Sequence, residues 1–232
     1  MMAKANKEDC LLDLKRRILT LELAPGSALD EASLVAQFGL SRTPLREVLQ
    51  RLAGEGYAQI TSNRGAQVAS MDITVMRTFF QTAPMIYAAI ARLAAESRRK
   101  NELEALKATQ LRFRKAIVDR NTIDAALANH DFHASIGAMA KNPYLAVCLH
   151  RLLVDHTRLG HTFYKPAKRA DQKLIEQATE QHDAMIDAFE AQNAEQAVQL
   201  TLQHWDLSRD RIERFVHPDP LPMDMGSVAH AL

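Results

Sequence analysis

The most informative stretch of this 232-residue chain is FGLSRTPLREVLQRLAGEG, residues 38–56. Its apolar side chains recur at the i, i+3, i+4, i+7 spacing of one buried helical face, at Leu45, Val48, Leu49 and Leu52. Its polar side chains lie off that face, at Arg42, Thr43, Arg46 and Gln50. The stretch therefore predicts a helix with one face in a core and a basic face left for water or a ligand.

The residues before this helix predict a second, shorter helix and a tight turn. Asp30 can cap a helix over residues 31–38, and Gly39 with its neighbour can form the turn. Ser41 is a suitable cap for the following helix, and Pro44 is tolerated in its first turn. Two short helices joined in this way are typical of a helix-turn-helix, whose second helix reaches base edges in the major groove. Arginine pairs there with guanine through two hydrogen bonds.

A hairpin is predicted directly after the second helix. Residues 57–61 and 67–69 favour strands, and the turn-forming residues 62–65 separate them. Arg64 and Gly65 at the tip can approach phosphates or the minor groove closely. The order of helices and hairpin within about 60 residues indicates a winged helix-turn-helix. The alternative for the arginines alone is an ordinary helical pair with a solvated face.

The rest of the chain predicts an all-helical bundle. Asp72 can cap a long helix that Pro84 would kink or break, and Asn142-Pro143 is a good helix start. Further helices are expected at residues 101–120, 123–140, 143–160, 170–191 and 194–215. We expect a mainly α protein in three parts. These are a DNA-binding domain (1–71), an all-helical effector-binding and dimerisation domain (72–216) and a flexible, proline-rich tail (217–232).

Composition indicates a cytoplasmic protein with no membrane partner. Hydrophobic residues make up 47% of the chain and charged residues 25%, with no apolar run long enough to span a bilayer and no signal peptide. The only cysteines, Cys10 and Cys148, are far apart in sequence, so we expect no disulfide framework. The net charge of +1 means that any DNA-binding surface must be a local basic patch.

Three of the nine histidines are predicted to face the core of the helical bundle. His182 precedes Asn193 by eleven residues and His204 follows it by eleven, so an antiparallel pair of helices would bring both to the same depth. His133 has small neighbours, and Asn129 points the same way one turn earlier. Three imidazoles and one oxygen suit a divalent transition metal such as zinc, nickel or manganese. For any one of these histidines taken alone, an ordinary hydrogen-bonded core residue is the favoured interpretation.

Five of the other six histidines are expected at the surface or partly buried, without a function. These are His150, His156, His161, His217 and His230.

Residues 11–70 resemble the DNA-binding domain of the GntR family. The resemblance lies in Leu23-Ala-Pro-Gly-Ser-Ala-Leu29, residues 38–49 and 51–56, and Asn63-Arg-Gly65. It implies that a set of residues on the second helix and wing bind DNA: Ser41, Arg42, Thr43, Arg46, Arg64 and Gly65. Ala32 stands where some members carry a further DNA-contacting arginine. This difference predicts another sequence preference, or greater reliance on the second helix and the wing.

Residues 75–215 resemble the FCD effector domain of the FadR-like GntR subgroup, an antiparallel helical bundle. The matching pieces are Asn129-His-Asp-Phe-His133, Asn142-Pro143, Glu180-Gln-His182 with Ile186, and His204. The resemblance implies a metal held by Asn129, His133, His182 and His204, with a small carboxylate or sugar acid at or beside it. Asn129 replaces the more common aspartate, which weakens the ligand and leaves the site more positive. The arginine and glutamate of the family's first bundle helix are not evident near Ala83 and Tyr87.

We therefore expect a ligand-responsive transcriptional regulator, not an enzyme, that binds palindromic double-stranded operator DNA as a homodimer. One alternative is a metal-dependent hydrolase, because three histidines can hold a metal that activates water. The nearest general base, Asp131, lies off the face of His133, which argues against it. A regulator that binds a fatty-acyl ligand without metal is the other alternative, and inward-facing histidines disfavour it.

Overall fold

The computed structural model describes residues 6–61, 65–166 and 169–216. The predicted mainly α fold is confirmed. Within the described ranges the N-terminal elements are α1 (Lys7–Leu19), β1 (Ala28–Leu29), α2 (Glu31–Phe38), α3 (Arg42–Gly54), β2 (Ala58–Thr61) and β3 (Gly65–Val68). The C-terminal elements are α4 (Ile73–Ser97), α5 (Lys100–Val118), α6 (Thr122–Met139), α7 (Pro143–Phe163), α8 (Arg169–Glu190) and α9 (Ala194–Val216). The predicted tail, residues 217–232, lies outside the described residues, as does Arg64.

Helices α2 and α3 begin and end close to the predicted residues. The Asp30 side chain accepts a hydrogen bond from the Ser33 backbone N–H at 2.8 Å, and α2 ends at Gly39 in the left-handed conformation, with φ 64°. The apolar face predicted for α3 is buried. The predicted cap of α3 is wrong in one respect. Ser41 occupies the N-cap position, but its side chain makes no capping hydrogen bond.

The predicted hairpin is part of a three-stranded antiparallel sheet in the order β1-β3-β2. In the hairpin, Ala58 pairs with Val68 and Thr61 pairs with Gly65. The sequence reading missed β1, a two-residue strand that pairs with β3 through Ala28 and Gln67. A strand of two residues is too short to show an alternation of apolar and polar residues in the sequence. It forms by pairing with β3, which the sequence around β1 does not reveal.

Helices α4–α9 form the bundle, in which α4 packs on α9 and α6, and α5 packs on α6 and α8. Helix α4 runs through Pro84 for 25 residues, so the prediction that the proline could break it is wrong. A proline removes one backbone hydrogen bond, and the packing of both halves of α4 against the bundle holds the helix together. None of the helices within the described ranges is long and apolar enough to cross a membrane.

The N-terminal elements rest on α7 of the bundle. Val154 of α7 belongs to the same buried cluster as Leu11 and Leu52 of the N-terminal helices. Gly56, at φ 84°, lies so close to Arg151 that a side chain at position 56 would overlap it. Arg158 is fully buried between the two parts of the chain. It donates a hydrogen bond to the backbone oxygen of Ala69 at 2.7 Å and pairs with Asp155.

Candidate metal centre and nucleic-acid interface

Three buried histidines from three helices converge in the bundle. His133 lies on α6, His182 on α8 and His204 on α9, and one nitrogen of each lies within 4.8 Å of the others. Their residues are 4%, 0% and 5% exposed. These are the three histidines that the helical periodicity predicted to face the core.

The antiparallel pairing of α8 and α9 brings His182 and His204 together. Asn193 begins α9 by accepting a hydrogen bond from the Gln196 backbone N–H at 3.1 Å, and α8 ends three residues before it, at Glu190. The Nε2 atoms of the two histidines are 3.2 Å apart. The equal spacing of the two residues from the turn therefore does predict their contact.

A hydrogen bond to glutamine fixes the tautomer of His182. Gln110 Nε2 donates to the backbone oxygen of Thr179 at 3.1 Å, so its Oε1 faces His182 and accepts from Nδ1 at 3.0 Å. With the proton on Nδ1, the Nε2 of His182 carries a lone pair that faces His204. His204 Nδ1 lies 3.1 Å from Gln181 Oε1.

Two further buried polar atoms lie on one face of α6. His133 Nε2 and Asn129 Oδ1 have no hydrogen-bond partner among the described residues, although both residues are almost fully buried. Two nitrogens bound to one zinc ion lie roughly 2.8–3.4 Å apart, given bonds of about 2.0–2.1 Å. The His182–His204 distance falls in that range. The donor set, three imidazoles and an amide oxygen, therefore fits a divalent transition metal.

Burial keeps these imidazoles neutral. Desolvation lowers the pKa of His204 to about 4. Desolvation, with repulsion from the neighbouring histidines, lowers the pKa of His133 and of His182 well below the ordinary value. Neutral imidazole is the form that binds a metal, so the rings are ready for one at neutral pH.

The sequence reading missed His156, which lies beside this cluster. Its ring centroid is 4.9 Å from that of His133, its Nδ1 is 2.7 Å from the Tyr87 hydroxyl, and the residue is 6% exposed. The expectation that His156 is at the surface or partly buried is therefore wrong. A signal was present, because His156 continues the buried i, i+4, i+7, i+11 series of Leu149, Leu153 and Gly160 on α7.

The remaining histidines differ in exposure. His150 is exposed and His161 is partly exposed, as expected, and His217 and His230 lie outside the described residues. His130, for which the sequence made no prediction, is partly exposed.

The candidate DNA-binding residues lie on the exposed side of α3 and on the wing. Ser41, Arg42 and Thr43 are exposed at the start of α3, and Gly65 is exposed at the start of β3 with φ 74°. The Arg46 side chain is 63% exposed, and its Nε donates to both carboxylate oxygens of Glu31 at 3.1 and 3.0 Å. The surface is thus exposed and basic, with one of its arginines held by an acidic residue of α2.

Two family descriptions match the chain. The FCD domain matches residues 80–207, and the family described as bacterial regulatory proteins, gntR family, matches residues 7–68. Among solved structures, McbR/YncC of E. coli has a TM-score of 0.77 at 19% identity and covers 94% of this chain and 100% of its own. Lar, which controls expression of the Listeria monocytogenes agr system, has a TM-score of 0.58 at 21% identity and covers 92% of this chain and 99% of its own. These structures share the fold.

Curated relatives are similar over different lengths. An uncharacterised HTH-type transcriptional regulator in an unstable DNA locus of Streptomyces ambofaciens is 48% identical over 69 residues, which is 30% of this chain and 29% of that protein. The repressor RspR of E. coli K12 is 29% identical over 55% of this chain and 56% of its own length. The galactonate operon repressor of E. coli K12 is 24% identical over 85% and 93%. The chain thus matches only about a third to a half of the first two relatives.

Proposed function

Since this chain belongs to the GntR family of bacterial regulatory proteins and carries an FCD domain, we propose that it is a ligand-responsive, DNA-binding transcriptional regulator. Its small effector, a carboxylate, binds at a divalent metal ion in the bundle. One observation carries the metal part of this proposal. The Nε2 atoms of His182 and His204 lie 3.2 Å apart in a buried site, beside the unpartnered Nε2 of His133.

The metal is held by His133, His182 and His204, with Asn129 as a weaker fourth ligand. Zinc, nickel and manganese are the candidates for this donor set. When bound, the ion supplies positive charge to which an effector carboxylate can coordinate. The chain's own residues keep the ligands in place. Gln110 holds the tautomer of His182, and Phe132 stacks on the same ring with centroids 4.0 Å apart.

DNA is bound by the start of α3 and the wing, through Ser41, Arg42, Thr43, Arg46, Arg64 and Gly65. A single recognition helix covers only a few base pairs, so a homodimer on a palindromic operator doubles the contact. In this organisation residues 1–71 bind DNA, and residues 72–216 bind the effector and dimerise.

The alternative of a metal-dependent hydrolase is not supported. One matched family is described as bacterial regulatory proteins, and RspR and the galactonate operon repressor are named as transcriptional repressors. Asp131, the nearest candidate for a general base in sequence, pairs with Arg112 at 3.0 Å, and its side chain is 47% exposed. It is therefore not a buried base beside the histidines.

The test is operator affinity measured with and without metal. An operator is first selected from random duplex DNA. Its affinity is then measured for zinc-loaded and for metal-free protein, each without and with every small acid of a panel. Coupling of roughly 1–3 kcal/mol changes affinity several-fold to a hundredfold. We expect His204→Ala to bind the operator but to lose this response, and exposed His150→Ala to keep it. Equal affinities in all states of the wild-type protein would contradict the proposal.

A further inference from the structure

A cavity of about 710 Å³ opens at one end of the bundle, apart from the histidine cluster. Its walls come from the end of α5, the start of α6, the end of α7 and the start of α8. Small-molecule sites have volumes of roughly 300–1,000 Å³, so the cavity is large enough for one. None of the described residues proposed above to bind metal or DNA lines it.

An aromatic layer separates the cavity from the histidine cluster. Tyr164 lines the cavity and is 7% exposed, and its ring centroid lies 5.3 Å from that of Phe113. Phe113 is fully buried, and its ring centroid in turn lies 5.0 Å from that of His182. A ligand in the cavity therefore contacts this layer and does not coordinate the proposed metal ion.

The rim of the cavity is basic. Arg120, Lys165 and Arg169 line it and are exposed, whereas Glu176 is the only acidic residue among the described lining residues. Five other arginines of the bundle pair with carboxylates: Arg92, Arg112, Arg114, Arg151 and Arg158. Neither Arg120 nor Arg169 forms an ion pair within the part of the chain that the structure describes. The guanidinium groups of these two residues are therefore available to an anion from outside the chain.

The start of α6 adds partial positive charge beside these arginines. Asn121 caps this 18-residue helix by accepting a hydrogen bond from the Asp124 backbone N–H at 3.1 Å, and both Asn121 and Thr122 line the cavity. The first N–H groups of a helix have no partner within it, and the helix dipole makes this end attractive to anions. The Asp124 carboxylate accepts from Asn121 Nδ2 at 2.6 Å and is not part of the lining.

The floor of the cavity is apolar. Ala116, Ala125 and Ile175 line it, are 5%, 1% and 2% exposed, and belong to the same buried cluster as Tyr164. An apolar group that covers this floor gains roughly 25 cal/mol for each Å² of apolar surface removed from water. The cavity therefore matches a ligand with an anionic group at one end and an apolar body at the other.

We infer that this cavity is a second small-molecule site, and that it binds a phosphate monoester with an apolar or aromatic body. The phosphate lies at the rim, where Arg120 and Arg169 donate to its oxygens and Lys165 adds charge. The body packs on the apolar floor. A phosphate monoester suits three cations better than a carboxylate does, because it carries roughly two negative charges and three terminal oxygens at neutral pH. The inference goes beyond the proposed function and does not require the metal.

The test compares three anions on metal-free, full-length protein by calorimetry at fixed ionic strength. Phenyl phosphate has both the dianion and the apolar body, inorganic phosphate lacks the body, and benzoate has the body with a single charge. Arg120→Gln and Arg169→Gln each remove one charge from the rim. Arg77→Gln on α4 is the matched control, because Arg77 is exposed, has no ion pair with a described residue and does not line the cavity.

We expect phenyl phosphate to bind the wild-type protein roughly tenfold or more tightly than either other anion, because only this ligand uses both the rim and the floor. Arg120→Gln and Arg169→Gln should each weaken its binding by about tenfold, the loss typical of a hydrogen bond to a charged group. Arg77→Gln should leave the affinity unchanged. Zinc uptake should be the same in all four proteins.

Several results would overturn this inference. These are no binding of phenyl phosphate, binding no tighter than that of inorganic phosphate or benzoate, and equal losses in all three arginine variants. Displacement of phenyl phosphate by random-sequence duplex DNA would also overturn it, because the cations would then belong to the DNA-binding surface. None of these results affects the proposed metal site, and wild-type protein that takes up no zinc would contradict that site and leave this inference standing. The comparison of the three anions uses only wild-type protein, so it decides the question even if a variant fails to fold.

Discussion

Arg46, a proposed DNA contact, has an acidic neighbour. In the free chain its Nε donates to both oxygens of Glu31, which leaves both Nη groups free to pair with guanine. We expect Arg46→Ala to weaken specific operator binding by about 1–3 kcal/mol. Glu31→Gln should strengthen operator binding, because the repulsion between the Glu31 carboxylate and the phosphates is removed.

Fluorescence anisotropy with labelled operator at matched salt measures both effects. Arg51→Ala is the control, because it removes the same charge from the same helix at a residue paired with Glu8 and Glu55. If Arg46→Ala binds as the wild-type protein does, Arg46 is not a base contact.

Buried histidines make the stability of the metal-free protein depend on pH. Burial lowers the pKa of His156 to about 3 and that of His204 to about 4, whereas both titrate near 6.5 when unfolded. Below pH 6.5 the unfolded chain therefore binds more protons than the folded chain. The free energy of unfolding should be constant from pH 8 to 7 and should fall from 6.5 towards 4. Each histidine contributes up to about 1.4 kcal/mol per pH unit.

Urea unfolding of chelator-treated protein at pH 8, 7, 6 and 5 tests this dependence. A free energy of unfolding that stays level from pH 7 to pH 5 would show that the buried histidines do not titrate as their burial requires.

Single residues differ in how far the sequence could place them. The contact of His182 with His204 follows from helical spacing on two neighbouring helices, which the sequence contains. The tautomer of His182 does not follow from it, because Gln110 comes from a third helix, 72 residues away. The sequence also does not predict that the indole N–H of Trp205 lacks an acceptor, because this depends on every helix that surrounds the residue.

At the scale of helices, two N-cap residues offer a matched comparison. Asn142 Oδ1 accepts from the backbone N–H groups of Tyr144 and Leu145 at 3.1 Å each, whereas the Ser41 side chain makes no capping bond. We expect Asn142→Ala to lower the free energy of unfolding by about 1 kcal/mol and Ser41→Ala to lower it by clearly less. Chemical denaturation of the three proteins measures both changes. Equal losses would show that the cap bond contributes nothing.

Caps and periodicity predicted the helices well, because both signals are local. Asp30, Asp72 and Asn142 each begin a helix as expected. Two of the failures, strand β1 and the continuity of α4 through Pro84, share a cause. Both depend on packing against distant parts of the chain, which overrides or replaces the local preference.

At the scale of the whole molecule, α7 connects the candidate metal centre to the DNA-binding part. His156 lies beside His133, and two residues later Arg158 bonds the backbone oxygen of Ala69, just after the wing. A shift of α7 on effector binding would therefore move the N-terminal elements. We expect Arg158→Lys to retain metal affinity and to reduce the effect of metal and effector on operator affinity, because lysine lacks the forked donors.

The coupling free energy comes from operator affinities of the wild-type protein and the variant, each with and without metal and effector. Arg112→Lys, on the exposed pair with Asp131, is the control and should leave the coupling unchanged. If metal and effector change operator affinity as much in Arg158→Lys as in the wild-type protein, Arg158 does not couple the two sites.

The sequence predicted the order of the two parts but not the contact between them. The close approach of Gly56 to Arg151 leaves no local pattern in the sequence.

Metal content is the most direct test of the central claim, that His133, His182 and His204 hold a divalent ion. Elemental analysis is made on wild-type protein and His204→Ala, both purified without an affinity tag and reconstituted with zinc, nickel or manganese. We expect about one ion per chain in the wild-type protein, loss of most of it in His204→Ala, and tighter binding in Asn129→Asp, which adds a full negative charge. Wild-type protein without stoichiometric metal after all three reconstitutions would contradict the account, and the histidines would then be polar residues of a metal-free core.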